Sequence, residues 1–170
     1  MKFLVLTDIH GSSKYLKMAM KKYEERQCEK ILLLGDILYH GPRNDLPMEY
    51  EPKTVISILN SYKNNIISVK GNCDAEVDEM VLEFPLFPEA TIKINGKNLY
   101  LTHGHHLDEI DEDGYIMYGH THVNKIDGKL INIGSLSIPK DNHHTYAIIE
   151  DGKLTSYDLL TDEVIMELVF

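Results

Sequence analysis

Residues 3–11 read FLVLTDIHG, and residues 31–38 read ILLLGDIL. Each is a short apolar run followed at once by a polar island that carries an aspartate. A continuous apolar run of this length, bounded by turn formers, reads as a strand buried on both faces. Three more runs obey the same rule: Ile66–Val69 leads into KGNCD, Leu99–Leu101 into THGH, and Tyr115–Tyr118 into GHTH. The islands bring Asp8, His10, Asp36, Asn72, His103, His120 and His122 to places where strands end. Carboxylate oxygens, an amide oxygen and imidazole nitrogens form a donor set for borderline divalent ions such as Mn²⁺, Zn²⁺ or Fe²⁺. Asp8 and His10 are two apart, as are His120 and His122. In extended chain, residues i and i+2 share a face, so each pair is expected to serve one site. A lone Asp-x-His matches by chance too often to mean anything. Five ordered islands, each at a strand end, are poorly explained as caps or turns.

Between the islands the chain alternates. Ser12 or Ser13 caps a helix whose Leu16, Ala19, Met20 and Tyr23 recur at helical spacing, with Lys17, Lys21, Lys22, Glu24 and Glu25 on a solvated face. Pro52 starts a second helix with Val55, Ile56 and Leu59 inward. This βαβαβ beginning, to about residue 70, implies a parallel sheet with helices on its faces. After residue 85 the pattern changes to short strands joined at Asn95-Gly96, Asp127-Gly128 and Asp151-Gly152, which read as hairpin turns. The expected fold is α/β: two mixed β-sheets packed face to face with helices outside and the polar islands at one end. All 170 residues are expected to form one domain, long enough to bury a proper core.

Composition narrows the function. Net charge is −10, which argues against an extended nucleic-acid surface, since that needs a basic footprint. It does not argue against a small anionic substrate, because two divalent ions would reverse the local field. Met1-Lys2 leads only into Phe3–Leu6, too short for a signal-peptide core, and no run approaches transmembrane length. Cys28 and Cys73 are too few for a disulfide framework. The expected setting is the reducing cytoplasm, with no membrane partner.

The order D-x-H, G-D, G-N-x-D, H, G-H-x-H resembles the calcineurin-like metallophosphoesterase superfamily over nearly the whole chain. LGDILYHGPRNDLP (Leu34–Pro47), the GNCD form and the late NIGSLSIPK are most similar to the small bacterial YfcE-type phosphodiesterases within it. The resemblance implies a four-layer α-β-β-α sandwich with two divalent ions at one end of the strands. It implies one ion held by Asp8, His10 and His122, a second by Asn72, His103 and His120, and Asp36 bridging both. Mn²⁺ is the first expectation, with Ni²⁺, Co²⁺, Zn²⁺ or Fe²⁺ as alternatives. Asp36, Asn72 and His103 then surround the reacting centre. A water bridging the ions would be acidified and attack phosphorus in line, giving hydrolysis of a small phosphodiester. Phosphomonoesters and cyclic nucleotides stay open as substrates. Relatives also form oligomers, so a homo-oligomer is a possible state. A different class of function, a non-catalytic scaffold like the retromer subunit of this fold, would require lost ligands, whereas Asp36 and Asn72 are intact here.

One position departs from the common family pattern. Many members carry histidine where this chain has Cys73, placed to protonate the leaving oxygen or to contact phosphate. A thiol is a weak donor. Cys73 does not read as a cysteine-phosphatase nucleophile either, since Glu79 stands where C-x₅-R needs arginine. Tentative substrate contacts are His40, Arg43, Cys73 and His105. Arg43 is either a phosphate clamp or a surface ion pair, and His105 completes a metal shell or touches substrate. Asp74 is placed to orient neighbouring ligands. His106, His143 and His144 read as exposed polar residues, and Ser135 and Lys140 as weaker phosphate candidates. The acidic stretch Asp108–Asp113 is either a solvated segment or a rim that repels polyanions.

Overall fold

The computed structural model describes residues 1–107 and 114–170. The expectation for Asp108–Asp113 lies outside the described residues. The order is β1 (Phe3–Leu6), α1 (Ser13–Glu25), β2 (Lys30–Leu33), α2 (Pro52–Ser61), β3 (Ile66–Ser68), α3 (Glu76–Val81), β4 (Ala90–Ile94), β5 (Lys97–Leu101), β6 (Tyr115–Tyr118), β7 (Asn124–Asp127), β8 (Leu130–Ile133), β9 (Thr145–Glu150), β10 (Lys153–Asp158) and β11 (Val164–Val169). Two mixed sheets result, one ordered β11-β10-β9-β1-β2-β3 and the other β4-β5-β6-β8-β7. Strands β1, β2 and β3 run parallel, with Leu4 opposite Ile31 and Leu32 opposite Ile67. Strand β9 joins β1 antiparallel.

The alternation of side chains along β1 builds the layers. Leu4 and Leu6 pack with Leu16, Ala19 and Met20 of α1 and with Val55 and Leu59 of α2. Phe3 and Val5 point the other way and pack with Leu99, Leu101, Met117, Ile131 and Ile133 of the second sheet. Period-two geometry gives each strand two faces, and here both are apolar because one meets helices and the other meets a sheet. That is why β1 and β2 read as unbroken apolar runs. The expected α/β arrangement of two mixed sheets with helices is the observed one.

Local chemistry sets the boundaries. Ser12 accepts from Tyr15 N–H as the N-cap of α1, and Pro52 opens α2. The turns at Asn95-Gly96 and Asp151-Gly152 have both residues at positive φ, as a two-residue hairpin needs. The third turn is shifted by one residue from its expected place. Asp127 still belongs to β7, and Gly128-Lys129 makes the turn with only Gly128 at positive φ. His144 also differs from its reading as an exposed residue. It is half-buried and stacks on Tyr15 with ring centroids 3.9 Å apart. Among the described residues no helix is long and apolar enough to cross a membrane.

Candidate metal centre

All five polar islands meet at one end of the strands. Backbone hydrogen bonds continue past the parallel ladder to bring the first two together: Asp8 N–H donates to Gly35 O (3.1 Å), His10 N–H to Asp36 O (2.9 Å) and Gly11 N–H to Ile37 O (2.9 Å). The Asp8–His10 pair does not converge through the pleat of an extended strand. Both residues lie in the left-handed region, as do Asp36, His120 and His122, with φ between 47° and 64°. Such a conformation is uncommon for any residue but glycine, with Asp and His among the more tolerant. The donors therefore meet because the chain turns sharply at each of them.

The side chains fall into two groups around one carboxylate. In the first, His122 Nε2 lies 3.1 Å and His10 Nε2 3.4 Å from Asp8 Oδ1, and the two histidine nitrogens are 3.3 Å apart. In the second, His103 Nε2 lies 3.0 Å from Asn72 Oδ1 and 3.3 Å from His120 Nδ1. Between them, Asp36 Oδ2 is 3.7 Å from His10 Nε2 and 3.3 Å from His103 Nε2. Asn72 is exposed and His120 is partly buried; Asp8, His10, Asp36, His103 and His122 are buried.

The surroundings aim these atoms. Nδ1–H of His10, His103 and His122 donates to the carbonyls of Tyr39 (2.7 Å), Leu34 (2.7 Å) and Ile138 (2.6 Å). A histidine so anchored presents a bare Nε2 lone pair when neutral. Each aspartate is likewise divided. Asp8 Oδ2 accepts from the Thr7 hydroxyl (2.7 Å) and His120 N–H (3.0 Å), while the buried Oδ1 has no hydrogen-bond partner. Asp36 Oδ1 accepts from Cys73 N–H (2.8 Å), which leaves Oδ2 facing the histidines. Asp74 accepts from the backbone N–H of Asp36, Ile37 and Gly71, at 2.7 to 2.8 Å, and so ties the loop after β2 to the loop after β3. Gly71 admits that approach, since a Cβ there would strike the Asp36 carboxylate.

Electrostatics follow from this crowding. Burial pushes the Asp8 carboxyl up, but the imidazoles of His10 and His122 beside it, and then the nearby His103, outweigh burial and hold Asp8 well below the usual carboxylate range. Burial works against charge on His103, yet Asp36 and Asp8 raise it to about 9. Burial, and then the neighbouring His103, holds His120 low and neutral. An uncommitted buried carboxylate oxygen beside convergent lone pairs is a donor set that fits a cation. The residues present therefore fit divalent metal.

A cavity of about 790 Å³ opens beside these donors, lined among others by Tyr39, Arg43, Asn44, Cys73, Thr121 and Lys140. Arg43 and Cys73 thus reach the cavity. Burial, together with the Asp36 carboxylate, pushes the Cys73 thiol up to about 12, so it stays protonated and is no thiolate nucleophile. His40 packs edge-on between Tyr39 and Tyr50 and is not among the lining residues. The exposed His105 sits with its ring centroid 5.5 Å from that of His103. Ser135 and Ser137 donate to Asp8 O, both at 3.1 Å, so they hold the loop after β1 and not a ligand. The sequence does not mark Tyr39, Asn44 and Thr121 as cavity residues, because no motif singles out a cavity wall.

Comparison with known proteins places this geometry. The calcineurin-like phosphoesterase superfamily domain matches residues 1–152. Phosphodiesterase YfcE of Escherichia coli (strain K12) is 35% identical over 178 aligned residues, covering 98% of this chain and 97% of that protein. The solved structure of E. coli YfcE, described as a phosphoesterase, superposes with a TM-score of 0.93 at 34% identity over 99% of both chains. Vacuolar Protein Sorting 29 from Cryptosporidium parvum shares the fold, with a TM-score of 0.65 at 15% identity over 99% of this chain and 98% of that one.

Proposed function

The chain belongs to the calcineurin-like phosphoesterase superfamily, and from that premise we propose that it hydrolyses small phosphodiesters at a centre of two divalent ions. The observation that carries this reading is the uncommitted, buried Oδ1 of Asp8 beside the convergent Nε2 atoms of His10 and His122. Asp8, His10 and His122 would hold one ion, and Asn72, His103 and His120 the other. Asp36 would serve both, since its Oδ2 faces a histidine of each group. Mn²⁺ is the first candidate. Bound there, divalent ions supply Lewis-acid charge for the phosphoryl oxygens and acidify water near neutral pH.

The chain's own residues do the rest. The Tyr39, Leu34 and Ile138 carbonyls keep three imidazoles, when neutral, in the tautomer that leaves the Nε2 lone pair bare. The Cys73 and Asp74 contacts fix Asp36 in place, so little reorganisation is needed as charge develops. Arg43 stands in the cavity wall, in the loop that follows Asp36, and its planar fork suits two oxygens of a phosphate. Cys73 is a weak hydrogen-bond donor beside the reacting centre, so leaving groups that need no proton are favoured. The intact donor set supports catalysis over a scaffold role.

The test combines metal content with turnover. After metal loading, elemental analysis should give two ions per chain, and an aryl phosphodiester should be hydrolysed faster than the matching monoester. Saturation at one ion, or a clear preference for the monoester, would remove the respective half of the proposal.

A further inference from the structure

Two cations stand in the cavity wall without an ion partner among the described residues. The chain has 17 lysines and arginines, and several are answered: Lys22 and Arg26 by Asp162, Lys70 by Glu79, Lys153 by Glu167. Arg43 and Lys140 line the cavity, and neither makes an ion pair or a side-chain hydrogen bond to another described residue. They belong to different walls. Arg43 is in the loop after β2, where Gly41 lies against Cys73. Lys140 is in the segment after β8, and its backbone N–H donates to His122 O at 2.9 Å. It makes no ion pair with the adjacent Asp141. That carboxylate is committed to the backbone N–H of Asn124 (2.6 Å) and of His143 (3.1 Å).

A phosphodiester group carries one negative charge, which the proposed divalent ions already answer, with Arg43, in the loop that follows Asp36, as a further contact in the cavity wall. Lys140, at the His122 edge, is surplus to that charge. It is also a positive group with no ion partner among the described residues, in a chain of net charge −10. The cavity, about 790 Å³, is of the size that encloses a whole small ligand and not a phosphodiester group alone. An ammonium on a flexible stem suits a terminal anion whose orientation is not fixed, whereas a guanidinium suits paired phosphate oxygens. We infer that Lys140 forms a second anion subsite, and that the substrate is a small phosphodiester bearing an additional carboxylate or phosphate that reaches the His122 edge. The inference rests on the phosphodiesterase reading above and narrows its substrate class.

The test uses propyl p-nitrophenyl phosphate and its carboxyethyl and phosphonoethyl counterparts, which share one leaving group and differ in the added anion. For the metal-loaded wild type, kcat/KM should favour the added anion by about fivefold or more, as expected for one partly exposed charge contact. The gain should lie mainly in KM. Lys140→Gln should bring the ratio to about one, and Lys140→Glu should invert it, by the same charge reasoning. Which of the carboxylate and phosphonate arms gains more identifies the preferred anion. Calorimetric binding of propylphosphonate and phosphonopropionate should show the same preference and the same loss in Lys140→Gln. A ratio near one in the wild type overturns the subsite while leaving the phosphodiesterase reading intact. An equal loss on all three diesters in Lys140→Gln also overturns it, because Lys140 would then hold the reacting phosphate. Failure of the wild type to hydrolyse any of the three overturns the phosphodiesterase reading and the subsite with it.

Discussion

The two ends of the strands use one backbone conformation for opposite purposes. At the hairpin end, Asn95 and Asp151 take a φ of 49° beside Gly96 and Gly152. Both are exposed, and the conformation is simply what a tight turn between twisted strands requires. At the other end, Asp8, His10, Asp36, His120 and His122 adopt it, and four of these five are buried. Each costs roughly 1 kcal/mol relative to an ordinary backbone. No hairpin ladder offsets that cost. Cross-links from Gly35, Ile138, Asp74 and their neighbours hold the turns instead. Left-handed backbone at the hairpins closes the chain, whereas at the metal end it turns donors towards one another.

The contrast breaks most visibly at its centre. Asp36→Asn removes the charge shared by both groups of donors and should lower kcat/KM on an aryl phosphodiester by about a thousandfold or more, the scale of losing a dominant electrostatic element. Bound metal should fall from two ions per chain while the circular dichroism spectrum is kept. Near-normal turnover with two ions bound would sink the role given to Asp36.

Acidity separates the two ends next. Without metal, burial opposes charge on His103, but the carboxylates of Asp36 and Asp8 outweigh it and raise His103 from 6.5 to about 9. Its folded value exceeds its unfolded value, so its contribution to stability is complete below pH 6.5 and is lost as pH rises through 9. Asp8 is shifted the other way, so its contribution is present above the ordinary carboxylate range and is lost as pH falls. Stability of the metal-free protein should therefore drop between these two histidine values by an amount on the order of 2–3 kcal/mol. Excess Mn²⁺ should reverse the trend, since ions and protons compete for the same atoms. Melting temperatures across pH, with and without metal, check it; a flat metal-free profile would contradict the charge coupling described for His103.

The Cys73 position sharpens the comparison on a smaller scale. Cys73→His should introduce a better proton donor and help alkyl diesters over aryl diesters by about tenfold, within the usual range of general acid catalysis. The check is the slope of kcat/KM against leaving-group pKa for both proteins, and equal slopes would mean that another group already supplies the proton. The smallest effect belongs to the hairpin end. At Gly96, with φ of 80°, a Cβ would meet nothing within 4 Å. Gly96→Ala should cost about 1 kcal/mol of stability in a denaturant titration and leave kcat/KM unchanged. A change in turnover would show that the two ends are not independent.

The sequence reveals these regions unequally. The hairpins are legible because Asn-Gly and Asp-Gly announce the backbone they need, although Asp127-Gly128 misleads by one residue since a single positive φ at Gly128 is enough there. The donors are legible because each follows an apolar run, and Leu32 or Val5 is apolar for a reason the layers supply. The short helix α3 escapes notice, being six residues with only Asp78 buried. The anchors of the histidines escape altogether. Tyr39, Leu34 and Ile138 act through their carbonyls, and a backbone carbonyl leaves no mark on residue identity. The place of Lys140 is hidden for a related reason, since only the fold reveals which exposed lysine faces the cavity.

Those carbonyls carry a consequence for mutational tolerance. A point substitution cannot delete a main-chain oxygen. Positions 39 and 138 can therefore vary among side chains that keep the local backbone, and the buried Leu34 among apolar ones that fill its place in the core, while the imidazoles they steer keep their orientation. Loss of function should then arise at the histidines and aspartates themselves, one residue at a time, with the cradle surviving underneath. For an engineer this makes the cradle reusable: a different nitrogen donor placed at 10, 103 or 122 would inherit an aiming point already built into the chain.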